Sequence, residues 1–223
     1  MLWRMALTPD DITAEMLLNA YCNGVFPMAR TRDSAEIMWM HPQHRGILPL
    51  DGFHLSRRLY RTVKAGKFEV SCDRDFDAVI AGCAAPGPDR DNTWINAWIV
   101  RTYRELFDVG FVHTVECRLD GQLVGGLYGV HIGSVFFGES MFSVVTDASK
   151  VALVHLVARL RLGGFSLLDT QWITAHLSQF GAIEIPRRQY ERQLDAAIRV
   201  KAIFPTDPGE AALAEEFAVL AGR

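Results

Sequence analysis

Residues 125–143 read GGLYGVHIGSVFFGESMFS, two apolar runs rich in Gly, Val and Phe that meet at Gly133, the pattern of a buried β-hairpin. One acid, Glu139, lies inside the second run. An ionised carboxylate among Phe, Gly and Met is costly to bury unless a cation or several donors meet it, so Glu139 points to a ligand. Upstream, residues 113–118 and 122–131 read as strands joined around Asp120 and Gly121, and with SVFFGE they predict a three-strand antiparallel meander. Downstream, Asp147 opens a long helix, ASKVALVHLVARLRL, closed by Gly163 and Gly164, and FSLLDTQ follows as a buried strand with a polar end. A helix between two apolar strands is a right-handed crossover between sheet neighbours, which gathers Glu139, Asp169 and Gln171 at one edge. The fold class is therefore α/β (mixed α+β), a mixed sheet flanked by helices.

The rest of the chain supplies the flanks. Thr8 and Pro9 mark a helix start, and Ile12, Leu17, Leu18 and Tyr21 form its apolar stripe up to Asn23 and Gly24. VFPMAR reads as a turn, and IMWM and GILPL as short strands of a small unit. We therefore expect a small N-terminal α+β domain over residues 1–52 and a larger domain over residues 53–223. Residues 54–67, HLSRRLYRTVKAGK, hold five cations and no acid. Leu55, Leu59 and Val63 fall on one helical side, and Arg57, Arg58, Arg61 and Lys64 largely on the other, a basic face. FEVSC is strand-like and DRDFDAVIAGCA is a capped helix. The loop at residues 83–92, with Pro86, Gly87 and Pro88, reads as a lid or linker, and residues 94–108 as a helix closed by Gly110. TAHLSQF predicts a short helix ending at Gly181, and another follows Pro186. The acidic segment after Pro208 reads as a peripheral helix.

With 49% hydrophobic and 22% charged residues, the chain has the composition of a folded globular protein. It has no run of about 18 apolar residues, so a cytoplasmic protein without membrane attachment is expected. The net charge of -3 argues against wholesale coating of nucleic acid and leaves room for one basic face. Cys22, Cys72, Cys83 and Cys117 form no CxxC pair and suit reduced, buried thiols, and no HExxH or histidine cluster predicts a metal. Ser140 sits in no GxSxG elbow, and neither GxGxxG nor GxxxxGK[ST] occurs, which disfavours covalent catalysis and nucleotide hydrolysis.

VFPMA, TWI at 93–95, LVGGLYGV at 123–130, FFGESMFS, ASK at 148–150, LDTQ at 168–171, HL at 176–177 and GAIEIPRR at 181–188 occur in order. Together they make the chain resemble the leucyl/phenylalanyl-tRNA-protein transferase family over about residues 13–195. The resemblance implies an N-acetyltransferase-like domain behind the small N-terminal one, no metal and no coenzyme. It further implies transfer of Leu or Phe, less readily Met, from aminoacyl-tRNA to proteins beginning with Arg or Lys, which marks them for bacterial N-degron degradation. A monomer is expected.

Residue by residue, the resemblance makes Gln171 the catalytic glutamine. An amide is too weak a base to hold a proton, so Gln171 is expected to orient the attacking amine, with Asp169 polarising that network or passing its proton. Glu139 is expected to meet a cation, either an α-ammonium or the acceptor's Arg or Lys. Leu127, Phe136, Gly138, Ser140, Met141, Leu153, Leu156 and Leu168 correspond to the aminoacyl pocket. Trp94 matches a tryptophan near the tRNA 3′ end, and Met28 stands where the family commonly has a tryptophan that stacks on the terminal adenosine, with Trp39 a candidate to compensate. Arg57, Arg58, Arg61 and Lys64 suit acceptor-stem phosphates. Two other readings compete: an acetyl-CoA-dependent N-acetyltransferase, which SVVTDASK disfavours because it lacks a glycine, and a noncatalytic tRNA-binding module, which has no use for Glu139 beside LDTQ.

Overall fold

A computed structural model describes residues 12–86 and 92–222. The N-terminal part holds α1 (Ala14–Cys22), β1 (Phe26–Ala29), β2 (Ile37–Met40), β3 (His44–Ile47), α2 (Arg57–Lys64), β4 (Glu69–Cys72), α3 (Phe76–Ala84) and α4 (Ala97–Asp108). Then come β5 (Val112–Leu119), β6 (Gln122–Ile132), β7 (Val135–Ser143), α5 (Ala148–Leu162), β8 (Leu167–Gln171), α6 (Ala175–Ser178), β9 (Ile183–Pro186), α7 (Arg187–Ala197) and α8 (Glu210–Leu220). Seven strands form one sheet in the order β4-β5-β6-β7-β8-β3-β9. The expected meander is present as antiparallel β5, β6 and β7, and β8 runs parallel to β7 after the α5 connection.

Two apolar clusters sandwich the sheet. Leu55, just ahead of α2, Leu59 and Val63 of α2, most of α5, and Phe217 and Leu220 of α8 pack on one face. Leu17 and Tyr21 of α1, with buried residues of α3, α4 and α7, pack on the other. α5 buries 11 of its 15 residues because the sheet covers one side and α2 and α8 the other. The acidic C-terminal segment is the helix α8, tied to α5 by Phe217 and by a 2.7 Å bond from Arg161 Nε to Glu216.

Several local readings change. VFPMA is not a turn: it forms β1, paired with β2 from Phe26↔Met40 to Ala29↔Ile37, and a two-strand ribbon tolerates Pro27 because its second edge is open. GILPL contributes to no N-terminal sheet. β3, which takes in its first two residues, lies in the large sheet between β8 and β9, so the hydrogen-bonded junction between the two sheets falls ahead of His44. The Thr8-Pro9 helix start lies outside the described residues; Thr13 caps α1, accepting from Met16 N. α4 begins at Ala97 because Asn96 Oδ1 accepts from Ile99 N at 2.9 Å. Half of the expected lid, residues 87–91, also lies outside the described residues. Asp147 does stand at the start of α5, but with a left-handed φ of 74° and no capping bond; its carboxylate pairs with Arg58 instead.

Candidate active site

The parallel ladder between β7 and β8 ends at Phe137↔Asp169. Beyond it both strands carry irregularities. Tyr128 pairs with Ser140 and Gly129 with Gly138, so Glu139 is the extra residue of a β-bulge. Gly46 pairs with Gln171 and Ile47 with Asp169, a second shift one strand over. Gln171 has a φ of 56°, and Trp172 N–H donates to Thr170 C=O at 2.6 Å across it, the geometry of a tight left-handed turn that a non-glycine residue adopts only at a cost. A Cβ on Gly46 would lie 2.6 Å from the Trp172 carbonyl carbon, so the turn needs a glycine opposite it.

Asp169 holds that turn. Its Oδ1 accepts the Gln171 backbone N–H at 2.8 Å, and Arg45 Nε and Nη2 meet the carboxylate at 2.9 and 2.7 Å. Tyr190 OH donates to Oδ2 at 2.6 Å, and Arg45 Nη1 donates to Gly24 C=O. Arg45 lies between the rings of Phe26 and Tyr190, 4.5 and 4.6 Å from their centroids. Burial opposes the Arg45 charge, but Asp169 outweighs it and raises the pKa of the guanidinium. Asp169 is fully buried, with both oxygens engaged; its contact with Gln171 is to the backbone. In this geometry it positions Gln171.

Glu139 has a different shell. Tyr21 OH donates to Oε1 at 2.7 Å, Tyr103 OH to Oε2 at 3.3 Å and Gln171 Nε2 to Oε1 at 3.1 Å. The two hydroxyls are also within hydrogen-bond reach of each other, and with one proton apiece a bond between them alternates with one of their bonds to Glu139. Burial, then the Glu139 charge, push both phenols well above the tyrosine range, so they remain donors. Burial pushes Glu139 itself up to about 8, with the Asp169 charge adding to it and the phenols and Arg45 opposing. With Nε2 spent on Glu139, the Gln171 side-chain oxygen is left to accept.

A cavity of 470 Å³ opens where the ladder stops, within the size range of small-molecule sites. Leu127, Met141, Leu153, Leu156, Leu168 and Leu177 give it an apolar wall; Glu139 and Gln171 supply polar groups, and among the described residues no lysine or arginine lines it. Tyr128 OH, Thr170 Oγ1 and His176 Nε2 are buried without hydrogen-bond partners, and all three residues line this cavity, as expected of a place for a polar ligand.

Residues 47–195 match the family described as Leucyl/phenylalanyl-tRNA protein transferase, and residues 10–43 match its N-terminal domain. The chain belongs to the leucyl/phenylalanyl-tRNA protein transferase family. Relatives bearing that name include one from Paramagnetospirillum magneticum, 55% identical, covering 86% of this chain and 92% of that protein. Another, from Rhodopseudomonas palustris, is 54% identical over 96% of this chain and 94% of its own. Among solved structures, L-PGS of Bacillus licheniformis aligns with 92% of this chain and 69% of its own at 10% identity, with a TM-score of 0.39, and no argument rests on it.

Most of the residues expected from the leucyl/phenylalanyl-tRNA protein transferase pattern meet at this cavity: Leu127, Gly138, Glu139, Ser140, Met141, Leu153, Leu156, Leu168, Gln171, Met28 and Trp94 all line it. Phe136 does not. It is fully buried and packs with Phe165 and Phe204 in the core. Trp39, paired with Pro27 on the ribbon, is also absent from the lining. Arg57, Arg61 and Lys64 project from α2 into solvent, whereas Arg58 is occupied by Asp147, at 2.5 and 2.9 Å. Sequence reasoning missed Tyr21, Tyr103, Arg45 and Tyr190, which read as packing or loop residues. The only available signal was the unexplained acid at 139, which demanded donors from elsewhere.

Among the described residues, no helix is long and apolar enough to cross a membrane, and no group of His, Cys, Asp and Glu is placed to hold a metal ion.

Proposed function

We infer that this chain transfers Leu or Phe, and less readily Met, from aminoacyl-tRNA to the N-terminal Arg or Lys of acceptor proteins, marking them for the bacterial N-degron pathway. The observation that carries the reading is the Glu139–Gln171 pair, 3.1 Å apart at the end of an apolar cavity that no lysine or arginine lines among the described residues. An uncharged side chain fits among Leu127, Met141, Leu153, Leu156 and Leu168, and a flexible methionine lets Leu, Phe and Met share the space. Met28 and Trp94 offer surfaces to the terminal adenosine at the tRNA 3′ end. Arg57, Arg61 and Lys64 offer charge to the acceptor stem. The reaction takes place in the cytoplasm, where charged tRNA is found, on a monomer.

The ester is already activated, so positioning supplies much of the catalysis. An incoming α-ammonium has a pKa of about 8, which Glu139 matches, so the carboxylate relieves it of a proton within the cavity. The Gln171 side-chain oxygen accepts an N–H of the resulting amine and aims its lone pair at the ester carbonyl. The new C–N bond forms, the ribose C–O bond breaks, and a proton from the amine goes to the leaving ribose oxygen through the neighbouring hydroxyl. Asp169 and Arg45 act by holding the Gln171 turn.

The acetyl-CoA reading is weakened further by Asp147, whose carboxylate stands at the start of α5, where a pyrophosphate would need donors. Transfer of labelled Leu from charged tRNA to an Arg-starting protein tests the proposal. Single-turnover rates are expected to fall at least about 100-fold in Gln171→Ala. Near wild-type transfer by that variant would reject the assignment, and acetyl-CoA binding without aminoacyl transfer would reject the function.

A further inference from the structure

The acceptor must place a cationic side chain close to the amine that Gln171 orients, yet among the described residues no acid besides Glu139 lines the cavity. Glu139 is poorly suited to hold that cation, because three donors already occupy its oxygens and burial keeps its affinity for protons high. The next residue along the chain is Trp172. It lines the same cavity, follows the Gln171 turn directly and remains 36% exposed, unusual for an indole beside a buried site. Its ring is set edge-on against Phe26, with centroids 4.9 Å apart and planes at 78°, and Phe26 is backed by Arg45. The indole is thus braced against Phe26 while about a third of the residue stays accessible. Of the other ionisable groups on the wall, Tyr128 has its pKa raised well above the tyrosine range by burial, and His176 has its pKa lowered by burial and by Lys150, so both stay neutral and neither repels a cation.

We propose that Trp172 is an acceptor-specificity residue: its open indole face receives the Arg guanidinium or Lys ammonium of the acceptor's first residue while Gln171 orients the α-amine of that same residue. An aromatic face suits both cations and favours the planar guanidinium, which a single carboxylate at one fixed position would not do equally for side chains of different length. This inference rests on the transfer reaction proposed above.

Steady-state transfer by full-length Trp172→Ala and Trp172→Phe, with one charged tRNA as donor and peptides starting with Arg, Lys, citrulline or norleucine, tests it. For Trp172→Ala the acceptor KM should rise about fivefold to tenfold for Arg and Lys and far less for the neutral residues, with donor KM at its wild-type value. Trp172→Phe, which keeps a ring against Phe26, should recover part of the loss. A rise in donor KM instead would place the indole on the adenosine, and an equal rise for neutral and cationic acceptors would make it a packing residue. Either result, or unchanged KM for Arg and Lys, overturns the proposal. Failure of the wild-type enzyme to transfer at all would instead reject the underlying function.

Discussion

Two acids lie at adjoining strand ends, and their surroundings differ in kind. Asp169 on β8 meets a guanidinium, a phenol and a backbone amide, with no exposure to solvent. Glu139 on β7 meets two phenols and a side-chain amide, no cation, and a cavity. The shell around Asp169 fixes a carboxylate as a structural anchor. The shell around Glu139 leaves a carboxyl able to gain or lose a proton at working pH. Two neighbouring strands therefore hold a rigid acid and a responsive one, and the division follows from Arg45 being spent on Asp169.

Removing that arginine should have the largest effect. Arg45→Met leaves Asp169 buried and unpaired, and denaturant unfolding should report a loss of about 3–5 kcal/mol. A second change, Asp169→Leu, should restore much of that stability without restoring transfer, separating the anchor from the reaction it supports. Gly46→Ala tests the anchor from the opposite strand. Its methyl would need to displace the Trp172 backbone, costing about 1–3 kcal/mol, and transfer rate should fall by more than the stability change explains. Glu139→Gln should perturb stability least and in a pH-dependent way. In the wild type the folded carboxyl titrates near 8 and the unfolded one near 4.5, so the folded state binds the proton more tightly between them. Wild-type stability relative to Glu139→Gln should thus decline as pH rises from about 5 to 8 and level off above, as read from paired thermal midpoints. A pH-independent difference would show that Glu139 does not bind its proton more tightly in the folded state.

The elements whose evidence is local were legible in the sequence. The meander, α5 and the parallel return of β8 follow from apolar runs punctuated by Gly, and they are enough to bring Glu139 toward Gln171. The turn at Gln171 was not legible, because nothing in LDTQ announces a left-handed residue; Asp169 and Gly46 impose it from elsewhere in the fold. Tyr21 and Tyr103 are ordinary members of helical stripes until two helices bring their hydroxyls to one carboxyl. VFPMA carries turn residues, yet its pairing with IMWM overrides them. Arg45 lies in HPQHRGILPL, a stretch without period, and its burial is decided by partners 124 residues further on.

That separation has a consequence during synthesis. β3 is made early, but both its neighbours, β8 and β9, emerge only near the end of the chain. A ribosome would release most of the polypeptide before Arg45 has anything to pair with. Closure of the sheet is therefore a late, long-range event, and such events are slow. Although family matches divide at residues 43 and 47, a fragment begun at residue 47 would lack Arg45 and its strand, leaving Asp169 without its counterion. The two matched segments are consecutive in sequence but share one sheet through β3, and the enzyme gains its working centre only when its first fifth meets its last third.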